Sequence, residues 1–150
     1  MTRENYSILE TQQVELFTIE FWDNGIVHVT VPGDTIVDAK HIKAQYEFLK
    51  SRYDQKNKFI ILVESGHDST LTKEAREFSS LPETNAMTFA TAVVVKSLAE
   101  RLIINFIINI TSRQAMKIRL FDNKENAAKW LLSLKEVSSA SPKSRLKTYF

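Results

Sequence analysis

The sequence predicts an α/β domain with a mixed, mostly parallel sheet of four to five strands. An N-terminal hairpin opens it, and the expected order is β-β-α-β-α-β-α-β-α. Three observations carry that prediction. Two β-rich runs flank the turn tripeptide Asp23-Asn24-Gly25. Two continuous apolar runs, "FIILVES" and "FATAVVV", are too short for helices and suit strands buried on both faces. The segments around them repeat apolar residues at helical spacing.

The hairpin takes Val14–Trp22 and Ile26–Val31 as its strands, and Pro32-Gly33-Asp34 ends the second. Asp38 is the expected N-cap of a helix reaching about Tyr53. Ala39, Ile42, Tyr46, Leu49 and Tyr53 share one face of it, and Lys40, Lys43, Glu47 and Lys50 the other. After "FIILVES" and the loop "GHDST", Thr72 caps a short helix, "KEAREFSSL", that stops before Pro82. "FATAVVV" leads into Ser97, the expected cap of the next helix. "KIRLF" is a short strand, and "DNKENAAKWLLSL" a closing helix with Asp122 and Glu125 at capping-box spacing. The organisation read from this is an arm over 1–13, one domain over 14–136, and a flexible basic tail over 137–150.

Composition narrows the function classes. The 150 residues suffice for one core, and 43% are hydrophobic. With 20 basic and 18 acidic residues the charge is too balanced to imply nucleic acid. Cysteine is absent, so disulfides, thiolate metal sites and a cysteine nucleophile are excluded. The opening "MTRENYSILETQQ" lacks the apolar core of a signal peptide, and a cytoplasmic location is expected.

"RLIINFIINI", residues 101–110, is apolar enough to raise a membrane span. Asn105 and Asn109 interrupt it well short of the roughly 18 apolar residues a span needs. Read as a helix, it turns Ala99, Leu102, Ile103, Phe106 and Ile110 toward the sheet. Ile104 and Ile108 then lie on the opposite side, among Arg101 and Asn105. Either another part of the chain covers them, or the four residues border a homodimer contact or an apolar groove.

"FIILVES", "TAVVV" followed by "KSLAERLIINFI", and the ending "KIRLFDNKENAAKWLLSL" together resemble small bacterial STAS-like proteins. These domains are akin to sporulation anti-sigma-factor antagonists, in the subgroup compared with CRAL-TRIO lipid-binding domains. The ending is the most telling part: a strand closing on Phe121, then a helix carrying Ala127, Trp130 and Leu131. The resemblance implies a sheet with helices largely on one side and a role in binding rather than catalysis. Its regulatory members present a serine, usually after aspartate, at the start of the helix following the central strand, where a partner kinase phosphorylates it. The matching pair here is Asp68-Ser69, although the loop is shorter and the helix start, "TKEAREF", is more charged. Asp68, Ser69 and Thr72 are equally suited to turn and cap positions.

Little in the sequence points to catalysis. No GxGxxG, Walker loop, GxSxG or HExxH occurs, and His28, His41 and His67 lack metal-ligand spacing. His67 with Glu64 and Asp68 is the one local titratable cluster at the end of a central strand. The expectation is a non-enzymatic domain with no catalytic residue, metal or cofactor, binding a protein partner or a small apolar ligand. The alternatives are a small enzyme using the His67/Asp68 loop and a purely structural homodimerisation module.

Overall fold

A computed structural model describes residues 6–97 and 117–139. The expected helix from Ser97, with Arg101, Ile104, Asn105 and Ile108, lies outside the described residues.

The main sheet has six strands where four to five were expected. They are β1 (Ile8–Val14), β2 (Phe17–Trp22), β3 (Ile26–Val31), β5 (Phe59–Ser65), β7 (Thr88–Val94) and β8 (Lys117–Phe121), adjacent in that order. The pairs β1–β2 and β2–β3 are antiparallel, and β3–β5, β5–β7 and β7–β8 are parallel. The short strands β4 (Ile36–Val37) and β6 (Thr70–Leu71) form a separate parallel pair. The helices are α1 (Ala39–Arg52), α2 (Lys73–Ser79), the single turn α3 (Pro82–Asn85) and α4 (Lys124–Ser139).

The extra strand is β1, which falls on the segment expected to be an arm. Its sequence, "ILETQQV", has little apolar alternation, because it is an edge strand with both faces mostly exposed. The run Val14–Trp22 is therefore not one strand. Val14 pairs with Phe17 across a two-residue turn in which Glu15 adopts a left-handed φ of 53°. No glycine or asparagine marks that turn, so its usual signal is missing. The turn at Asp23-Asn24-Gly25 is where it was expected, with Gly25 at φ 95°.

Helix α1 begins as its residues predict: Asp38 Oδ1 accepts from the Ala39 amide, and His41 Nδ1 accepts from the Asp38 amide. Thr72 caps α2 by accepting from the Ala75 amide at 3.1 Å. At α4 the cap is Asn123 rather than Asp122: its Oδ1 accepts from the Asn126 amide at 2.8 Å. An amide at that position supplies the same acceptor one residue later.

Helices occupy both faces of the sheet, not largely one. On one face Phe17, Ile19, Val27, Val29 and Ile61 pack toward α1, with Leu49 from that helix. On the other, Ile26, Ile60, Leu62, Ala90, Ala92 and Val94 pack against Ala127 and Leu131 of α4. Burying a leucine such as Leu131 contributes about 1.5–3 kcal/mol, and it is 0% exposed. No helix among the described residues is long and apolar enough to cross a membrane.

Candidate functional site

The two faces are filled differently. α4 runs close over β5 and β7, meeting alanines there. α1 packs chiefly against α2 and the edge strand β1 and stands off the middle of the sheet. Between this helical layer and the sheet lies a cavity of about 220 Å³. Val29, Ile61, Val63 and Val93 form its floor, and Tyr46 and Leu49 of α1 face them. Val63, expected to be buried on both sides, is only partly buried and borders this hollow.

Several polar residues of the cavity stand at two places, and Gln45 of α1, Ser79 of α2 and Thr91 in the middle of β7 also line it. Ser65, Ser69 and Thr70 stand at the carboxyl end of β5 and just beyond it; Thr84, Asn85 and Thr88 stand at the start of β7. Among the described lining residues none is an Asp, Glu, Lys, Arg or His. Thr84 Oγ1 is buried without a hydrogen-bond partner, a state that costs about 1–3 kcal/mol.

Ser69 is buried at 7% exposure. Its hydroxyl donates to the Pro32 carbonyl at 2.6 Å, with the Gly66 carbonyl at 3.2 Å. It precedes β6, three residues before the Thr72 cap, so it lies ahead of the α2 N-terminus. Asp68 has a left-handed φ of 60° and pairs with His67 at 3.2 Å, both side chains exposed. Glu64 does not join them. Strand alternation sends it to the opposite face.

There Glu64 meets His28. His28 Nε2 is 2.7 Å from Glu64 Oε1, and its Nδ1 is 2.9 Å from Glu20 Oε1. The register makes this possible: Glu20 lies opposite His28 on β2, and Glu64 is two residues beyond Leu62, the neighbour of His28 on β5, and so on the same face. Trp22 Nε1 donates to the same Glu20 oxygen at 3.0 Å, and Tyr6 stacks on Trp22 with centroids 3.6 Å apart. Lys124, at the start of α4, lies over both rings.

Burial disfavours a charged imidazole at His28, but the hydrogen bonds and charges of Glu64 and Glu20 outweigh it and raise its pKa. For Glu64 the His28 hydrogen bond outweighs burial and lowers the pKa. For Glu20 burial is the largest single influence, yet the Trp22 and His28 hydrogen bonds together overcome it and lower the pKa. Both ring nitrogens of His28 are engaged by carboxylate oxygens, which leaves neither free to take a proton from a substrate. The sequence placed His28 in a strand and missed this cluster. Residue parity along β2, β3 and β5 was its only local signal, and the inter-strand register was required to use it.

Neither a curated protein nor a solved structure matches the chain. A family model described as "Domain of unknown function (DUF7793)" matches residues 19–135, from inside β2 into α4. That span takes in both helical layers, the described cavity lining except Phe17, and Glu20, His28 and Glu64, and the chain belongs to this family of domains of unknown function, DUF7793.

Proposed function

We propose that the protein is a non-catalytic, STAS-like binding domain that holds a small, uncharged, mainly apolar molecule between α1 and the sheet. The observation that carries this reading is the cavity of about 220 Å³. It exceeds the roughly 150 Å³ of an engineered hollow that takes up benzene. It falls below the roughly 300 Å³ at which sites for drug-sized ligands begin. A one- or two-ring molecule is the matching size. The mainly apolar wall suits its body, and the hydroxyls and amides among the lining residues suit one or two neutral polar groups. A carboxylate or phosphate would find no cationic side chain among the described lining residues.

The enzyme alternative is less well supported. His67 and Asp68 lie outside the cavity with exposed side chains, and His28 is committed to two carboxylates.

The test uses 2-naphthol as a neutral probe and naphthalene-2-sulfonate as its charged counterpart. Methyl resonances of Ile61, Val63 and Val93 are followed by NMR during titration. Saturable shifts with 2-naphthol and none with the sulfonate are expected. No saturable shift at these methyls with either probe would overturn the proposal, as would equal response to both.

A further inference from the structure

We propose that Glu20, His28 and Glu64 form a proton-dependent latch that fastens the segment around Tyr6 onto the sheet. This inference is independent of the cavity, which lies on the other face.

Both ring nitrogens of His28 face carboxylate oxygens, at 2.9 and 2.7 Å, and a carboxylate can only accept. Both contacts are hydrogen bonds only while the ring carries two protons. A neutral ring retains one N–H, so one carboxylate must then face a nitrogen lone pair at hydrogen-bond distance.

The surroundings select which contact fails. Glu20 also accepts from the Trp22 indole, whereas His28 makes the hydrogen bond that holds the Glu64 side chain. The remaining proton therefore stays on Nε2 with Glu64. The Nδ1 proton leaves to solvent, and Glu20 is repelled. Glu20 and Trp22 are joined by their own hydrogen bond, and Tyr6 is stacked on Trp22. A shift of Glu20 thus disturbs the platform on which Tyr6 rests.

The charged groups around the ring come from several elements. β2 supplies Glu20 and β5 supplies Glu64. Lys124 from α4 acts on both carboxylates, and Lys96, after β7, acts on Glu64. The two lysines stabilise the carboxylates as anions, so these remain acceptors as the ring loses its proton. Tyr6 itself meets Lys124, whose Nζ donates to the phenol oxygen at 3.4 Å.

The sign of the linkage follows. The folded His28 pKa is raised, so its stabilisation is complete below the unfolded value of about 6.5 and is lost as pH rises through the folded pKa. The carboxylate pKa values are lowered, so their contribution is present above about 4.5 and is lost as pH falls through the folded values. The latch is tightest between these limits. From about 6.5 up to the folded His28 pKa the closed-to-open ratio falls by up to about tenfold per pH unit, and above the folded pKa it changes no further.

The experiment is an NMR titration of the full chain from about pH 5 to about pH 9, following the His28 ring and the ring-current-shifted Tyr6 signals. Tyr6 is expected to move toward unstacked values in step with His28, at a midpoint above the ordinary imidazole value. In His28→Gln the Tyr6 signals should not change over this window. In Glu64→Gln both transitions should move together to lower pH, which keeps the test decisive if His28→Gln does not fold. Tyr6 signals that stay fixed while His28 titrates would overturn the latch, as would a His28 midpoint at or below the ordinary value.

Discussion

The two faces of the sheet share one set of strands and solve opposite packing problems. Toward α4 the strands present Ala90 and Ala92, and the helix answers with Ala127, each 0% exposed. Small side chains let the helix axis approach, and leucine and isoleucine fill the flanks. Toward α1 the same strands present valine and isoleucine, while the helix leans on α2 and β1. Among the described residues no helix lies close over the middle of this face, and a cavity borders Val29, Ile61 and Val93 there. A hollow thus arises from where a helix leans as much as from which residues line it.

Four substitutions probe this difference. Val94, 2% exposed on the α4 face, lies opposite Glu64 on the neighbouring strand. Val94→Asp adds a buried carboxylate beside an existing one. The expected cost is about 4 kcal/mol or more, read as loss of the folded signal in circular dichroism. Native stability in this variant would contradict a tightly closed face. Ala92→Leu forces extra volume beneath α4 and should cost about 1–3 kcal/mol in urea unfolding. If it is tolerated, the alanine face has room that the geometry does not reveal.

The hollow face should respond in the opposite direction. Thr84→Val keeps the shape and removes the unpartnered hydroxyl, so a gain of about 1 kcal/mol is expected. A loss of stability would reveal a partner for Oγ1. Val63→Ile adds one methylene beside the cavity and should raise stability by about 0.5 kcal/mol, visible as a small increase in melting temperature. Destabilisation there would mean the free space is not beside Val63.

Much of the fold was legible because its signals are local. Asp38 and Thr72 cap the helices expected from their types, Gly25 marks its turn, and both apolar runs are central strands. β1 escaped notice because an edge strand needs no apolar alternation, and Glu15 makes a turn that ordinarily favours glycine. The candidate sites were less legible. His67 and Asp68 were seen as neighbours in sequence, but Glu64 was grouped with them when strand parity turns it to His28. The cavity depends on how α1 leans between β1 and α2, which no residue pattern states. Distances between elements are set by tertiary packing, and a single sequence encodes them only collectively.

The loops after β3 and β5 are sutured together. The Gly66 amide donates to the Val31 carbonyl at 2.7 Å, and the Asp34 amide to the His67 carbonyl at 2.8 Å. A Cβ on Gly66 would fall on the Gly33 backbone, and one on Gly33 would lie 2.9 Å from the His67 carbonyl oxygen. Both obstacles are main chain, so no change of rotamer relieves them. In evolutionary terms the two glycines form a single heritable unit. Replacing either one alone meets a steric barrier, and replacing both meets two, so this suture can be inherited or rebuilt whole but not edited one residue at a time. Variation in the cavity then has an open route through the side chains of its wall, and a closed one through this pair of loops.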